Sequence, residues 1–140
     1  LQNFGSILNF AEEIESLDRQ FYAVAGGNPA CAGHKALFAQ LEAEAARNVT
    51  TVQRIRRENV TEMILEPVKD FVRAPFCEAC EGAAVMAPDQ VLATARKLES
   101  RAARYYAEAS GKLKALTEVS RALKLLGKAR TARLAKLNAL

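Results

Sequence analysis

Two glutamates occupy matching places in an internal repeat, and their spacing from tyrosine suits buried carboxylate chemistry. Shifting the sequence by 84 positions places Glu15 on Glu99 and Tyr22 on Tyr106. Each glutamate precedes its tyrosine by seven residues, which is two helical turns, so both side chains share the face that carries the apolar residues. A carboxylate that faces a helical core needs a cation, a metal or hydrogen-bond donors. The alternative is a solvated glutamate that flanks the apolar stripe.

Cysteine and histidine form a second group of metal-ligating residue types. The sequence contains Cys31-x-x-His34 and Cys77-x-x-Cys80, and three thiolates with one imidazole make an ordinary tetrahedral zinc set. The two pairs meet only if the segment before the third helix returns to the junction of the first two helices. A structural zinc is therefore one prediction, and buried unligated cysteines or a redox pair are the alternatives.

Four helices are predicted to position these side chains. Apolar residues recur at steps of three and four in four segments, which predicts helices at about residues 6–25, 35–65, 89–110 and 112–138. Pro67 must stop the second helix, and the pattern is broken from there until the third helix begins. The long connection favours two helical hairpins over a simple up-and-down arrangement.

Composition agrees with an all-α fold. The chain has 140 residues, half of them hydrophobic, with seven glycines, four prolines and no tryptophan. This length is enough to bury a core without disulfides, so residues 1–140 are predicted to form a single domain.

The repeated Glu-x6-Tyr motif, on helices one and three around a long connection, resembles the rubrerythrin-like members of the ferritin-like superfamily. That resemblance implies an antiparallel four-helix bundle with a long crossover between helices two and three. It also implies two irons, held by one glutamate from each of two helices and a Glu-x-x-His from each of the others. Glu15 and Glu99 would be the lone glutamates, and the chain would form a homodimer.

The sequence departs from this pattern in helices two and four. Its one histidine, His34, lies at the start of helix two. In one alignment, Glu44-x-x-Arg47 and Glu118-x-x-Arg121 stand where the Glu-x-x-His motifs belong, with arginine for each histidine. Such arginines would neutralise buried carboxylates in place of metal ions.

A second alignment, based on the apolar positions, places the ligand positions on Ala45 and Asn48 of helix two and on Ser120 and Leu123 of helix four. Helices two and four then contribute no ligand. Both alignments remain open at this point.

Two functions follow from these alternatives. The first is a ferritin-like protein in redox or metal homeostasis, whose atypical site is either vacant or made of the carboxylates Glu15, Glu44, Glu99 and Glu118 with Fe or Mn. If active, it would be a di-iron or manganese oxidoreductase of the rubrerythrin type. The second is a non-enzymatic helical scaffold or partner-binding protein that has lost the metal site.

Charge and hydropathy limit the expected partners. The net charge is +4, and every charged residue after Glu118 is basic: Arg121, Lys124, Lys128, Arg130, Arg133 and Lys136. These cations suit the C-terminal dipole of a last helix, and a nucleic-acid surface is not expected. No stretch approaches the roughly 20 apolar residues that span a bilayer, so we expect a cytoplasmic protein with no membrane partner.

Overall fold

The computed structural model describes residues 3–59, 68–79 and 81–140, and these residues contain helices and no strands. The four long helices are α1 (Phe4–Gly26), α2 (Lys35–Glu58), α3 (Pro88–Lys112) and α4 (Thr117–Asn138). Two short 3₁₀ helices, at Pro29–His34 and Ala74–Phe76, lie in the connections. The predicted all-α class is thus confirmed.

Local signals explain where α1 begins and ends. The Asn3 side chain accepts from the Ser6 amide at 2.8 Å, and the Ser6 hydroxyl accepts from the Asn3 amide at 3.2 Å, which forms a capping box. At the other end, Gly27 follows the last helical residue and the Asn28 side chain accepts from the Ala30 amide at 2.9 Å. The chain therefore turns tightly into the connection to α2.

The junction of α3 and α4 differs from the prediction, and the predicted end of helix two lies outside the described residues. Helix α2 ends at Glu58, whereas the prediction reached residue 65, and residues 60–67 lie outside the described part. Helix α3 continues to Lys112, and α4 begins five residues later than predicted. The Ser110 and Ser120 hydroxyls lie 2.9 Å apart and each donates to the other residue's carbonyl, so the last turn of α3 is held helical against the first turn of α4.

The two hairpins are antiparallel. Asn48 of α2 contacts Glu15 of α1, and the later Gln53 contacts the earlier Glu12, so α2 runs opposite to α1. In the second hairpin, Ser110 of α3 contacts the start of α4, and Arg96 donates to the carbonyl of Leu137 near the end of α4.

Helix α1 also runs opposite to α3. Tyr22 of α1 contacts Glu99, whereas the earlier Ile7 accepts a hydrogen bond from the later Tyr105. Helices α2 and α3 consequently run in the same direction. The segment that joins them must travel back along the length of the helices.

The last part of this segment contacts Asn28 at the junction of α1 and α2. The side-chain amide of Asn28 donates to the carbonyls of Ala83 and Met86, both at 2.9 Å. Earlier in the segment, Arg73 forms an ion pair of 2.6 Å with Glu13 of α1. Among the helices described, none is long and apolar enough to cross a membrane.

Two apolar clusters form the core, and a polar layer separates them. One contains the first part of α1, from Phe4 to Ile14, and the other contains Phe21, Tyr22 and Ala25 from its last part. Between them α1 buries Glu15 and Asp18 completely. A layer of buried charge therefore crosses the middle of the molecule.

Candidate functional site

Three helices supply the buried charged layer, which we define as Glu15, Asp18, Glu99, Arg101 and Arg130. Helix α1 contributes the first two residues, α3 the next two and α4 the last. Each side chain is no more than 2% exposed. Burying so many charges is unfavourable unless each finds an opposite charge or a hydrogen-bond partner, so the pairing inside the layer decides its role.

The guanidinium of Arg130 lies at the centre of the layer. Its Nη2 donates to both carboxylate oxygens of Glu15, at 2.7 and 2.8 Å, and its Nη1 donates to Oε2 of Glu99 at 2.9 Å. The same Nη1 lies 2.9 Å from Oδ2 of Asp18. A single cation thus joins α1 and α3 to α4.

The three carboxylates keep Arg130 protonated. Burial alone would lower its pKa, but Glu15, Glu99 and Asp18 outweigh burial and hold the pKa of Arg130 well above its usual value. Arg130 is therefore a permanent charge of the layer and takes no part in proton transfer.

A glycine allows α4 to come close to α3 beside this arginine. A Cβ atom at Gly127 would lie 3.1 Å from Cβ of Tyr106, closer than packed side chains normally approach. Gly127 precedes Arg130 by three residues, less than one helical turn. The missing side chain therefore helps α4 to place the guanidinium between the carboxylates.

The two repeated tyrosines bind the two repeated glutamates reciprocally. Tyr106 of α3 donates to Oε2 of Glu15 on α1, and Tyr22 of α1 donates to Oε1 of Glu99 on α3, both at 2.7 Å. Burial, reinforced by the neighbouring glutamate, raises the pKa of each tyrosine well above its usual value. Both phenols are neutral hydrogen-bond donors to the layer.

Asp18 pairs with a second arginine. Nη2 of Arg101 lies 2.5 Å from Oδ1 of Asp18, and its Nη1 donates to the carbonyl of Phe76 at 3.3 Å, which ties the connecting segment to the layer. Burial raises the pKa of Asp18 to about 6, although Arg130 and Arg101 act in the opposite direction. Asp18 therefore takes up a proton closer to neutrality than an ordinary aspartate does.

Helices α2 and α4 complete the edge of the layer. The amide of Asn48 donates to Oε1 of Glu15 at 3.1 Å. Arg133 pairs its Nε with Oε2 of Glu44 at 2.5 Å, and its Nη1 lies 3.8 Å from Oε1 of Glu99. Glu44 contacts Arg133, which in turn lies near Glu99, so we place Glu44 on the rim of the layer, outside its buried residues.

Three buried atoms find no hydrogen-bond partner in the described part of the chain: Oδ2 of Asp18, Nε of Arg130 and Nη1 of Arg133. The 2.9 Å approach of Asp18 to Arg130 is accordingly an ion pair without hydrogen-bond alignment. The carboxylates of Glu15 and Glu99 are therefore fully hydrogen-bonded, whereas Asp18 of the layer and Arg133 at its edge each keep one atom without a hydrogen-bond partner.

The structure treats the four predicted carboxylates differently. Glu15 and Glu99 are fully buried, as the repeat predicts, and they share Arg130. Glu44 is on the rim. Glu118 is exposed in the first turn of α4, twelve residues before Arg130 and so about 18 Å away along the helix. The structure therefore does not bring Glu118 to the other three, and a metal site made of all four carboxylates stays a prediction.

Neither alignment of helices two and four predicted the arginines that the structure uses. Arg47 and Arg121 are exposed, so the expected pairing of these residues with the inward glutamates is wrong. On α2, the second alignment correctly placed Asn48 toward the layer. On α4, Ser120 binds Ser110, and Leu123 lies in an apolar cluster. Both residues lie near the start of α4, outside the buried charged layer.

A sequence signal for the missed arginines does exist. Arg130 and Arg133 continue the stripe of Leu123 and Leu126 toward Leu137 at steps of three and four. Asp18 lies three residues after Glu15 on the same face of α1. The 84-residue repeat gives no sign of Asp18, because it places that residue on an alanine.

The zinc candidates that the structure describes have different surroundings. Cys31 is buried beyond the end of α1, and Cys77 is exposed. The carbonyl of Phe76, next to Cys77, accepts from Arg101, which also binds Asp18 of α1. His34 packs its ring against Phe38, with centroids 6.3 Å apart. Cys80 lies outside the described residues, so the zinc site stays a prediction.

The side chains around Glu15 and Glu99 do not fit a di-iron or di-manganese centre. Arg130 donates to both glutamates at 2.7–2.9 Å, so these carboxylates are already paired with a cation. An arginine is a poor metal ligand, and its charge would repel a divalent ion. Within the described ranges, no three His, Cys, Asp or Glu side chains form a group that could hold a metal.

We expect Tyr106→Phe and Tyr22→Phe each to lower the free energy of unfolding by about 1–3 kcal/mol, because each leaves a buried glutamate short of one donor. Tyr105→Phe is the matched control, since Tyr105 donates to the neutral carbonyl of Ile7 and should lose less. Urea denaturation followed by circular dichroism measures all three. Equal losses in the three variants would contradict the assigned contacts.

The stabilities of the native chain and an Asp18→Asn variant should diverge at low pH. The pKa of Asp18 is raised from 3.8 to about 6 on folding, so the folded chain binds the proton more tightly. The native chain should therefore gain stability over the variant as the pH falls from 7 to 4, by up to about 3 kcal/mol. Urea denaturation at several pH values measures this difference, and a difference that is constant or falls would contradict the assignment.

The geometry thus defines a buried cluster of carboxylates, guanidinium groups and phenols in which Arg130 pairs with Glu15 and Glu99. Comparisons of the chain with models of protein families, with curated proteins and with solved structures find no match.

Proposed function

We propose that this chain is a ferritin-like four-helix bundle in which arginine has replaced the di-metal site, and that it works as a non-enzymatic helical scaffold. The observation that carries the proposal is the position of Arg130, whose guanidinium binds Glu15 and Glu99 at 2.7–2.9 Å. In this proposal the Arg130 cation neutralises the two buried glutamates and holds their helices together, as metal ions would. It supplies neither redox chemistry nor an open site for a substrate.

The course of the chain supports the ferritin-like part of the proposal. Helices α2 and α3 run in the same direction and are joined by a long connection, as in bundles with one crossover. Glu15 and Glu99 lie at equivalent places of the two hairpins, each bound by the tyrosine of the other hairpin. This reciprocity is what a duplicated hairpin would produce.

A carboxylate-based Fe or Mn oxidoreductase is the second candidate. The burial of Glu15 and Glu99 at equivalent places favours it. It requires Arg130 to leave the position between the two glutamates, and a displaced guanidinium would lose three short hydrogen bonds inside the core. The scaffold is better supported for this reason.

Pairing with a second copy belongs to the scaffold proposal. Leu17 and Val24 lie two turns apart on one face of α1 and are 38% and 45% exposed. Both side chains line a groove beside residues 78–79 and 81–83, and in this proposal the second copy contacts them there. Sedimentation equilibrium of the native chain and a Leu17→Gln, Val24→Gln variant tests this point, with a dimer expected only for the native chain. A native monomer would remove pairing from the proposal.

Thermal unfolding with and without metal tests the proposed function. A metal that binds only the folded state would raise the unfolding temperature, and a chelator would lower it. We expect neither EDTA nor added Mn²⁺ or Fe²⁺ to shift the transition of the native chain. A transition that a chelator lowers and Mn²⁺ restores, in the native chain but not in a Glu15→Ala, Glu99→Ala variant, would support the second candidate and contradict the scaffold.

A further inference from the structure

A groove between α2 and α4 lies directly outside the buried charged layer. Its volume is about 330 Å³, within the range of small-ligand pockets. Three residues of α2 and four of α4 line it: Glu44, Arg47, Asn48, Ala129, Ala132, Arg133 and Lys136.

The groove carries an excess of positive charge. Arg47, Arg133 and Lys136 are cationic, and Glu44 is the one acid among the lining residues. Glu44 is already bound to Arg133 at 2.5 Å. Arg47 and Lys136 are exposed and form no ion pair with any residue that the structure describes. Two positive charges therefore face the groove without a partner.

Arg133 adds a buried donor to this surface. The residue is only 7% exposed, and its Nη1 has no hydrogen-bond acceptor among the described residues, with the nearest carboxylate oxygen of Glu99 at 3.8 Å. A buried donor without an acceptor is unfavourable. Arg133 lines the groove, so its charge, which Glu44 offsets, belongs to the positively charged wall formed by α4.

We propose that this groove binds a small phosphate-bearing anion. A phosphate monoester carries about two negative charges near pH 7, which matches the two unpartnered cations. The planar guanidinium group of Arg47 suits the geometry of phosphate oxygens. Ala129 and Ala132 have short side chains, so the wall formed by α4 leaves room for an organic group attached to the phosphate.

The proposal is independent of the scaffold function. The ligand contacts Arg47 and Lys136 at the surface, and the buried pairs of Arg130 stay as they are. A failure to bind phosphate would say nothing about whether Glu15 and Glu99 bind a metal. A metal bound at those two glutamates would likewise leave the groove free for phosphate.

Isothermal titration with inorganic phosphate and with glycerol phosphate, at an ionic strength held constant with NaCl, tests the proposal. The groove variant is Arg47→Gln, Lys136→Gln. The matched control is Arg121→Gln, Lys124→Gln, which removes one arginine and one lysine from exposed positions of α4 outside the groove. Circular dichroism of both variants should match the native chain, since all four side chains are exposed.

We expect the native chain and the control to bind phosphate equally and the groove variant to bind at least about tenfold more weakly, or about 1.4 kcal/mol. Tighter binding of glycerol phosphate than of inorganic phosphate would identify an organic ester as the ligand, and equal binding would identify the free ion. No binding by the native chain, or the same loss in the groove variant and the control, would overturn the proposal.

Discussion

Replacing Arg130 with methionine is expected to lower the free energy of unfolding by about 3–5 kcal/mol. The variant leaves Glu15, Glu99 and Asp18 buried together without their shared cation. Methionine fills much of the same volume, so the loss reports on the charge and the hydrogen bonds more than on a cavity. Urea denaturation at pH 7, followed by circular dichroism, gives the difference from the native chain.

The control for this experiment is Arg121→Met on the same helix. Arg121 is exposed, and substitutions at such positions usually change stability by no more than about 0.5 kcal/mol. If Arg130→Met and Arg121→Met had equal effects, Arg130 would not be the centre of the layer.

Replacing Glu99 with alanine is expected to lower the free energy of unfolding by a similar amount, about 3–5 kcal/mol. The change removes one carboxylate partner of Arg130, the acceptor of the Tyr22 hydroxyl and the carboxylate nearest to Nη1 of Arg133. Glu99→Gln keeps the size and an acceptor oxygen, so it should lose less than alanine does. The same urea titration compares the two variants.

Glu118→Ala is the matched control for Glu99→Ala. Glu118 is exposed in the first turn of α4, where a carboxylate interacts with the helix dipole and contributes about 0.3–1 kcal/mol. A loss at Glu118 as large as that at Glu99 would contradict the structure and would restore Glu118 to the site.

Much of the fold follows from the sequence, because apolar spacing alone decides which face of each helix is buried. The stripe of Ile7, Ala11 and Ile14 predicts α1, and all three are fully buried. The junction of α3 and α4 is different. Gly111 resembles a helix end, but the buried Ser110 contact with Ser120 extends the helix past it. Contacts between distant residues override the local signal there.

The site was only partly predictable, for a physical reason. Glu15 and Glu99 stand out because the repeat places an acid twice on an apolar face. Arg130 belongs to a run of basic residues in which most are exposed, so composition predicts a solvated helix end. Its burial depends on three carboxylates from other helices, on the close approach at Gly127 and on the register of α4. One sequence does not specify that register.

In the proposed function a guanidinium occupies the place of a di-metal site, and the metal content per chain tests this proposal most directly. Elemental analysis should compare the native chain with the Glu15→Ala, Glu99→Ala variant, both purified without added metal or chelator. We predict no Fe or Mn in either protein, and any zinc that is present should survive the double substitution. About two Fe or Mn per native chain, lost in the variant, would contradict the claim.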